Sequence, residues 1–245
     1  ALDLGETAEL SLPDLRPGFG GWQAYLSGVL WALREAGNQI GGITMVLTSD
    51  VPFGAGLSSS AAIECSVMAA ACDLFGLDIA PMDRAKLAQR AENVYVGAPT
   101  GLLDQAASTL CRTDTGLFLD CRTLETAEVP LPLHEQGVEI LVLDTRTPHS
   151  HVDGEYGERR TTCEQAARLL GVSALRDVTD LEAALAELPD ERMRKRVRHV
   201  VTENERTQAA LELARAGKLS ALPPLLDASH ASMRDDYEIT VPTVD

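Results

Sequence analysis

The segment from Val51 to Ala62, VPFGAGLSSSAA, is where residue type and spacing point most directly to chemistry. Gly54 and Gly56 let backbone N–H groups turn inward with no Cβ in the way, and Ser58, Ser59 and Ser60 offer N-cap oxygens to a following helix. A helix N-terminus carries unsatisfied N–H donors and partial positive charge, so this loop reads as a cradle for phosphate. Two other glycine loops are excluded. The Walker pattern needs a lysine after its last glycine, where Leu57 stands, and the dinucleotide pattern needs a third glycine, where Ser59 stands. The bare spacing is also that of a plain strand-to-helix turn with serine caps.

Other residues carry a chemical and a structural reading side by side. Asp104 is either a carboxylate facing a substrate or the cap of a helix over Gln105 to Leu110. Glu92, taken alone, is a solvated helix residue. Trp22 and Tyr25, three apart on one helical face, either pack in the core or offer two aromatic planes to a ligand. His149, His151 and Asp153 have the HxHxD spacing of a metal triplet, which a polar loop also explains. Cys65, close to the loop, reads as a small core residue rather than a reactive thiol.

The elements that must position these groups follow from periodicity. Ile43, Met45 and Leu47 alternate with polar or outward neighbours and predict a strand before the loop. Ile63, Val67, Ala71 and Leu74 predict the helix after it, with Gly76 as its stop. Helices are also predicted over Gly21 to Glu35, from Pro81 through Tyr95, and over Tyr156 to Leu170, Leu181 to Leu188, Glu191 to Ala216 and Pro224 to Arg234. Leu117 to Asp120 and Val138 to Asp144 read as strands, the second so continuously apolar that burial is expected. Strands and helices in irregular order indicate an α+β architecture.

The chain has 245 residues, 45% of them hydrophobic, enough for one large or two small domains. A formal net charge of −16 argues against nucleic-acid binding and repels free nucleotide, so local positive charge must come from backbone amides, arginines and a metal ion. Five cysteines with no CxxC pair suit a reducing cytoplasm. No stretch is long and apolar enough to span a membrane, and no signal peptide opens the sequence, so a cytoplasmic protein is expected.

The longer string Pro-x-Gly-x-Gly-Leu-Ser-Ser-Ser-Ala resembles the phosphate-binding motif of the GHMP kinase superfamily. Within it, AENVYVGAPTGLLDQ (Ala91 to Gln105), FLDCRTL (Phe118 to Leu124), GEYGERRTTCEQAARLLG (Gly154 to Gly171), LRDVT (Leu175 to Thr179), RVRHVVTENERT (Arg196 to Thr207) and SHASMRDDYEITVPTVD (Ser229 to Asp245) resemble the bacterial galactokinase family. The likeness covers essentially the whole chain. It implies a two-domain GHMP kinase fold, with a ribosomal-protein-S5-like N-terminal domain over 1–133 and a ferredoxin-like C-terminal domain over 134–245. It also implies that both ends are incomplete, without the family's N-terminal sugar signature and C-terminal glycine-rich motif, so that the chain by itself is expected to be weakly active or inactive.

The resemblance implies an ATP-dependent kinase that phosphorylates the anomeric hydroxyl of D-galactose, with Mg2+ as cofactor and a monomer as the expected state. Residue by residue, it gives Asp104 as the catalytic carboxylate and Gly54, Ala55, Gly56, Leu57, Ser58, Ser59 and Ser60 as the phosphate loop. It gives Trp22 and Tyr25 as adenine contacts, Ser60 and Glu92 as metal ligands, and Gly101 and Tyr156 as sugar contacts. Leu102 and Leu103 stand where many members have Ile-Met. Members carry other residues at the HxHxD positions, which removes the metal reading there. A non-catalytic galactose and ATP sensor, or a kinase of a related sugar such as N-acetylgalactosamine, are the alternatives.

Overall fold

A computed structural model describes the chain except for Phe19, residues 148–151 and the side chains of 152–156. The chain divides into two compact units, Ala1–Thr113 with Leu119–Ala127, and Asp114–Phe118 with Glu128–Asp245.

The first unit is built on helices α1 (Gln23–Glu35), α2 (Ser59–Phe75), α3 (Pro81–Arg90) and α4 (Leu103–Leu110). Its core joins Val29, Leu30 and Leu33 of α1 to Ile63, Val67 and Met68 of α2 and to Tyr95. The predicted third helix runs on past α3 as a π-helical turn, Ala91–Val96, that carries Glu92. Such turns are rare and often mark functional sites. The turn packs closely on α1, where a Cβ at Gly28 would meet Tyr95 Cδ1 at 3.2 Å and Ala91 Cβ at 3.3 Å. Gly28 is the residue that permits the approach.

Ile43, Met45 and Leu47 are half-buried against this core while Thr44, Val46 and Thr48 face out, so the period-two reading of the side chains holds. Among the described residues the segment nevertheless forms no ladder and is not a strand. One backbone contact ties it down, the Leu2 N–H donating to Leu47 O at 2.9 Å. Leu74, expected on the buried stripe of α2, is 60% exposed.

Strands β1 (Thr115–Leu119) and β2 (Thr126–Pro130) pair as a two-stranded hairpin. The second unit continues with α5 (Val152–Leu169), α6 (Leu181–Glu187), α7 (Glu191–Arg215) and α8 (Pro223–Ser232), close to the predicted spans. One apolar cluster gathers Ala166, Leu175, Leu185, Leu188, Val197 and Val201. Another gathers Val129, Leu211, Ala214 and Leu219. The expected strand over Val138 to Asp144 is absent: no ladder forms there, and Ile140, Leu141 and Leu143 are 77%, 80% and 78% exposed. A continuous apolar run predicts burial only if neighbouring strands pair with it, and none does among the described residues.

Helix α7 starts where its sequence dictates. Asp190 caps it, its Oδ1 accepting from the Met193 N–H at 2.8 Å. Asp190→Ala is expected to lower the stability of the second unit by about 1 kcal/mol, read as a lower thermal midpoint. The π-helical turn Met233–Tyr237 after α8 is pinned back onto α7. Arg196, 3% exposed, reaches Glu238 at 2.8 Å, and His199 stacks on Tyr237 with centroids 4.4 Å apart.

Candidate functional site

The loop before α2 has the backbone its glycines anticipate. Gly54 and Gly56 take φ of 73° and 74°, and a Cβ on Gly54 would meet nothing within 4 Å. Ser58 is the N-cap of α2, but in the left-handed region, φ 52° and ψ 44°, and its side chain makes no capping bond. This corrects the expectation of serine caps. A non-glycine residue held there is strained, a conformation that gathers at functional sites. The first helical bond is Ala62 N–H to Ser58 O at 3.0 Å. The N–H groups of Ser59, Ser60 and Ala61 therefore find no acceptor among the described residues and remain available to an anion.

Four residues after Ser60, on the same helical face, Glu64 is fully buried. It belongs to a polar cluster that ties three elements of the first unit together. Gln105, in the first turn of α4 and fully buried, donates through Nε2 to Glu64 Oε2 at 3.2 Å and to Glu92 Oε2 at 2.7 Å. Thr100 Oγ1 donates to the same Glu92 Oε2 at 2.7 Å. Thr100 is itself held by α3 and the π turn, its N–H bonding Asn93 Oδ1 at 2.8 Å and its carbonyl accepting from Asn93 Nδ2 at 3.1 Å and Gln89 Nε2 at 3.2 Å. Burial, with the Glu92 carboxylate close by, pushes the Glu64 carboxyl up to about 9. Burial thus favours the neutral form of Glu64 at ordinary pH. Cys65, half-buried against Gln105 O and Thr109, has its thiol pushed up by burial, which suits the packing reading.

Asp104 is the second residue of α4, whose N-cap is Leu102, so it does not cap the helix. Its carboxylate is exposed and has no hydrogen bond or ion pair among the described residues. Consecutive residues on a helix point about 100° apart, so Asp104 faces out where Gln105 faces in. Gly101 is exposed, with nothing within 4 Å of the place a Cβ would take. Trp22 and Tyr25 are half-buried at the margin of the first core, and Trp22 Nε1 donates to Glu6 Oε2 at 2.7 Å. The Tyr156 backbone lies in α5, but its side chain, like His149, His151 and the Asp153 side chain, falls outside the described residues.

No group of three His, Cys, Asp or Glu side chains that could hold a metal ion occurs among the described residues. A Mg2+ shared with a nucleotide needs only one or two protein oxygens. Glu92 fits that requirement: both its hydrogen bonds fall on Oε2, and Oε1 accepts none from the described residues. The Ser60 hydroxyl is likewise without a hydrogen-bond partner among them, and is half-buried. Glu64, Thr100 and Gln105 were not singled out from sequence. The signal was there for one of them, because Ala61, Glu64, Met68 and Ala71 form a single buried row in which a glutamate is out of place.

A helix start with unbonded N–H groups, a carboxylate held with one oxygen free, and an exposed aspartate on α4 all belong to the first unit. Residues 24–112 match the family described as the GHMP kinases N terminal domain. The chain has the GHMP kinase fold, and its N-terminal part is similar to that superfamily.

It is also similar to galactokinases. It is 51% identical over 244 residues to the galactokinase of Streptomyces coelicolor, covering 98% of this chain and 63% of that protein. It is 45% identical over 234 residues to that of Mycobacterium tuberculosis, covering 95% and 64%. The crystal structure of Lactococcus lactis galactokinase complexed with galactose matches with a TM-score of 0.84 and 31% identity, over 96% of this chain and 62% of that one. The chain spans a little over three fifths of the length of these relatives. No helix among the described residues is long and apolar enough to cross a membrane.

Proposed function

We propose that the complete protein is a cytoplasmic, ATP-dependent sugar kinase that transfers the γ-phosphoryl group of ATP to the anomeric hydroxyl of D-galactose. The observation that carries this reading is the Gln105 side chain bonded to both Glu64 and Glu92. It draws the phosphate-loop helix, the candidate metal carboxylate and the helix of Asp104 into one packed unit. The 45–51% identity to galactokinases along nearly the whole chain supports the same reaction.

In this mechanism the N–H groups of Ser59, Ser60 and Ala61 bind nucleotide phosphate oxygens, with Gly54 to Gly56 shaping the approach. Trp22 and Tyr25 flank the adenine. Ser60 and Glu92 would hold Mg2+, which neutralises charge on the phosphate oxygens when bound. Gly101 and Tyr156 orient the sugar. Asp104 accepts a hydrogen bond from the reacting hydroxyl, aligns it in line with the γ-phosphoryl group and takes its proton as the new bond forms. Positioning and charge do most of the work, because a loose phosphoryl transition state needs little covalent assistance. The division at about residue 133 then separates a nucleotide-binding N-terminal domain from the C-terminal one.

The intact serine run Ser58 to Ser60 favours an enzyme over a ligand sensor, since a sensor needs no transition-state contacts. The test is galactose-dependent ADP release by the complete protein with Mg2+ and ATP, at a turnover above about 1 per second. Binding of both ligands without turnover would establish the sensor instead. Faster turnover of N-acetylgalactosamine in the same assay would transfer the assignment to that sugar.

A further inference from the structure

We propose that Gln105 and Thr100 are positioning residues that fix the Glu92 carboxylate in register with Asp104. The inference rests on the reading of Glu92 as a metal ligand and deepens it.

Both side chains donate to one and the same oxygen, Glu92 Oε2, each at 2.7 Å. Thr100 reaches it from within the connection between the π turn and α4, and Gln105 from the first turn of α4 itself. Two donors on one carboxylate oxygen fix the rotation of that group and leave the other oxygen directed away from them. Gln105 is the immediate neighbour of Asp104, so the bond that orients Glu92 also fixes the first turn of α4, on which Asp104 stands. Glutamine suits the place for a chemical reason: its amide nitrogen carries two hydrogens and serves Glu64 and Glu92 together, whereas a hydroxyl has only one. Thr100 completes the tie because Asn93 and Gln89 hold its backbone to the same stretch of helix that presents Glu92.

Partners of this kind around metal ligands change metal affinity or activity by about 10 to 100-fold when removed. The decisive experiment is Mn2+ binding to the complete protein with a non-hydrolysable ATP analogue, followed by water-proton relaxation, together with kcat and the Mg2+ dependence of turnover. Gln105→Met, which keeps the volume and deletes the donors, is expected to weaken Mn2+ by about 10-fold or more. Metal-free binding of the analogue should change by less than about 2-fold, because the phosphate loop is untouched. Thr100→Val, a shape-conserving change at a half-buried site, should shift Mn2+ affinity in the same direction by a smaller factor, and it decides the matter if Gln105→Met does not fold. A role confined to packing would leave Mn2+ affinity at the parent value in both variants, and that result overturns the proposal. Glu92→Gln separates the two readings. If it too leaves Mn2+ affinity unchanged, Glu92 is not the ligand and the site assignment has failed; if it abolishes binding while Gln105→Met and Thr100→Val do not weaken it, only the positioning role has failed.

Discussion

Asp104→Ala in the complete protein is expected to reduce kcat for galactose phosphorylation by about 10^3-fold, within the range spanned by general acid–base groups. The KM for ATP should move little, because the phosphate loop and the donors of α2 do not involve this side chain. The structure makes Asp104 a clean test. Its carboxylate is exposed, it is not the cap of α4, and no described residue bonds it, so its removal should cost little stability. Asp104→Asn distinguishes the two jobs of the carboxylate. An amide still accepts a hydrogen bond from the hydroxyl but cannot take its proton or stabilise developing positive charge. Turnover as low as in Asp104→Ala would make proton transfer or charge the dominant contribution, and recovery of most of the rate would make orientation dominant. Circular dichroism should superimpose for all three proteins. An alanine variant that retains substantial activity removes Asp104 from the chemistry altogether.

The helices were legible in the sequence to within a few residues because their apolar period is local and their stops are chemical: Asp190 before α7, Gly76 after α2. The strands were legible only in part: Leu117 to Asp120 anticipates β1, whereas two other expected strands do not form among the described residues. The run Val138 to Asp144 has the composition of a buried strand, yet a strand exists only through hydrogen bonds to another segment, and periodicity carries no information about whether that segment is there. The stretch Ile43 to Thr48 shows the same gap from the other side, with alternating burial and no ladder.

The glycine–serine loop was readable as a turn into a helix because glycine and serine have few reasons to cluster elsewhere. Its detail was not, since the left-handed Ser58 that replaces a side-chain cap depends on the packing of the whole turn. Glu92 and Asp104 could be placed only through resemblance, and what joins them could not be placed at all. Gln105 looks like any surface glutamine until α2, the π turn and α4 are packed together, when it becomes fully buried between two carboxyl groups.

Those two carboxyl groups set a second large effect, on stability against pH. An unfolded chain ionises Glu64 near 4.5, whereas in the folded chain burial and the neighbouring Glu92 hold its proton to about 9. Between these limits the folded state binds a proton that the unfolded state has lost, so raising the pH favours unfolding. The loss of stability runs at up to about 1.4 kcal/mol per pH unit across the window and is absent below it. Glu64→Gln keeps the shape, cannot ionise and should remove that slope. The thermal midpoints of parent and variant are expected to lie close together at pH 5 and to separate progressively toward pH 8.5, with the variant the more stable. Parallel midpoints across that range would mean that Glu64 is ionised in the folded protein.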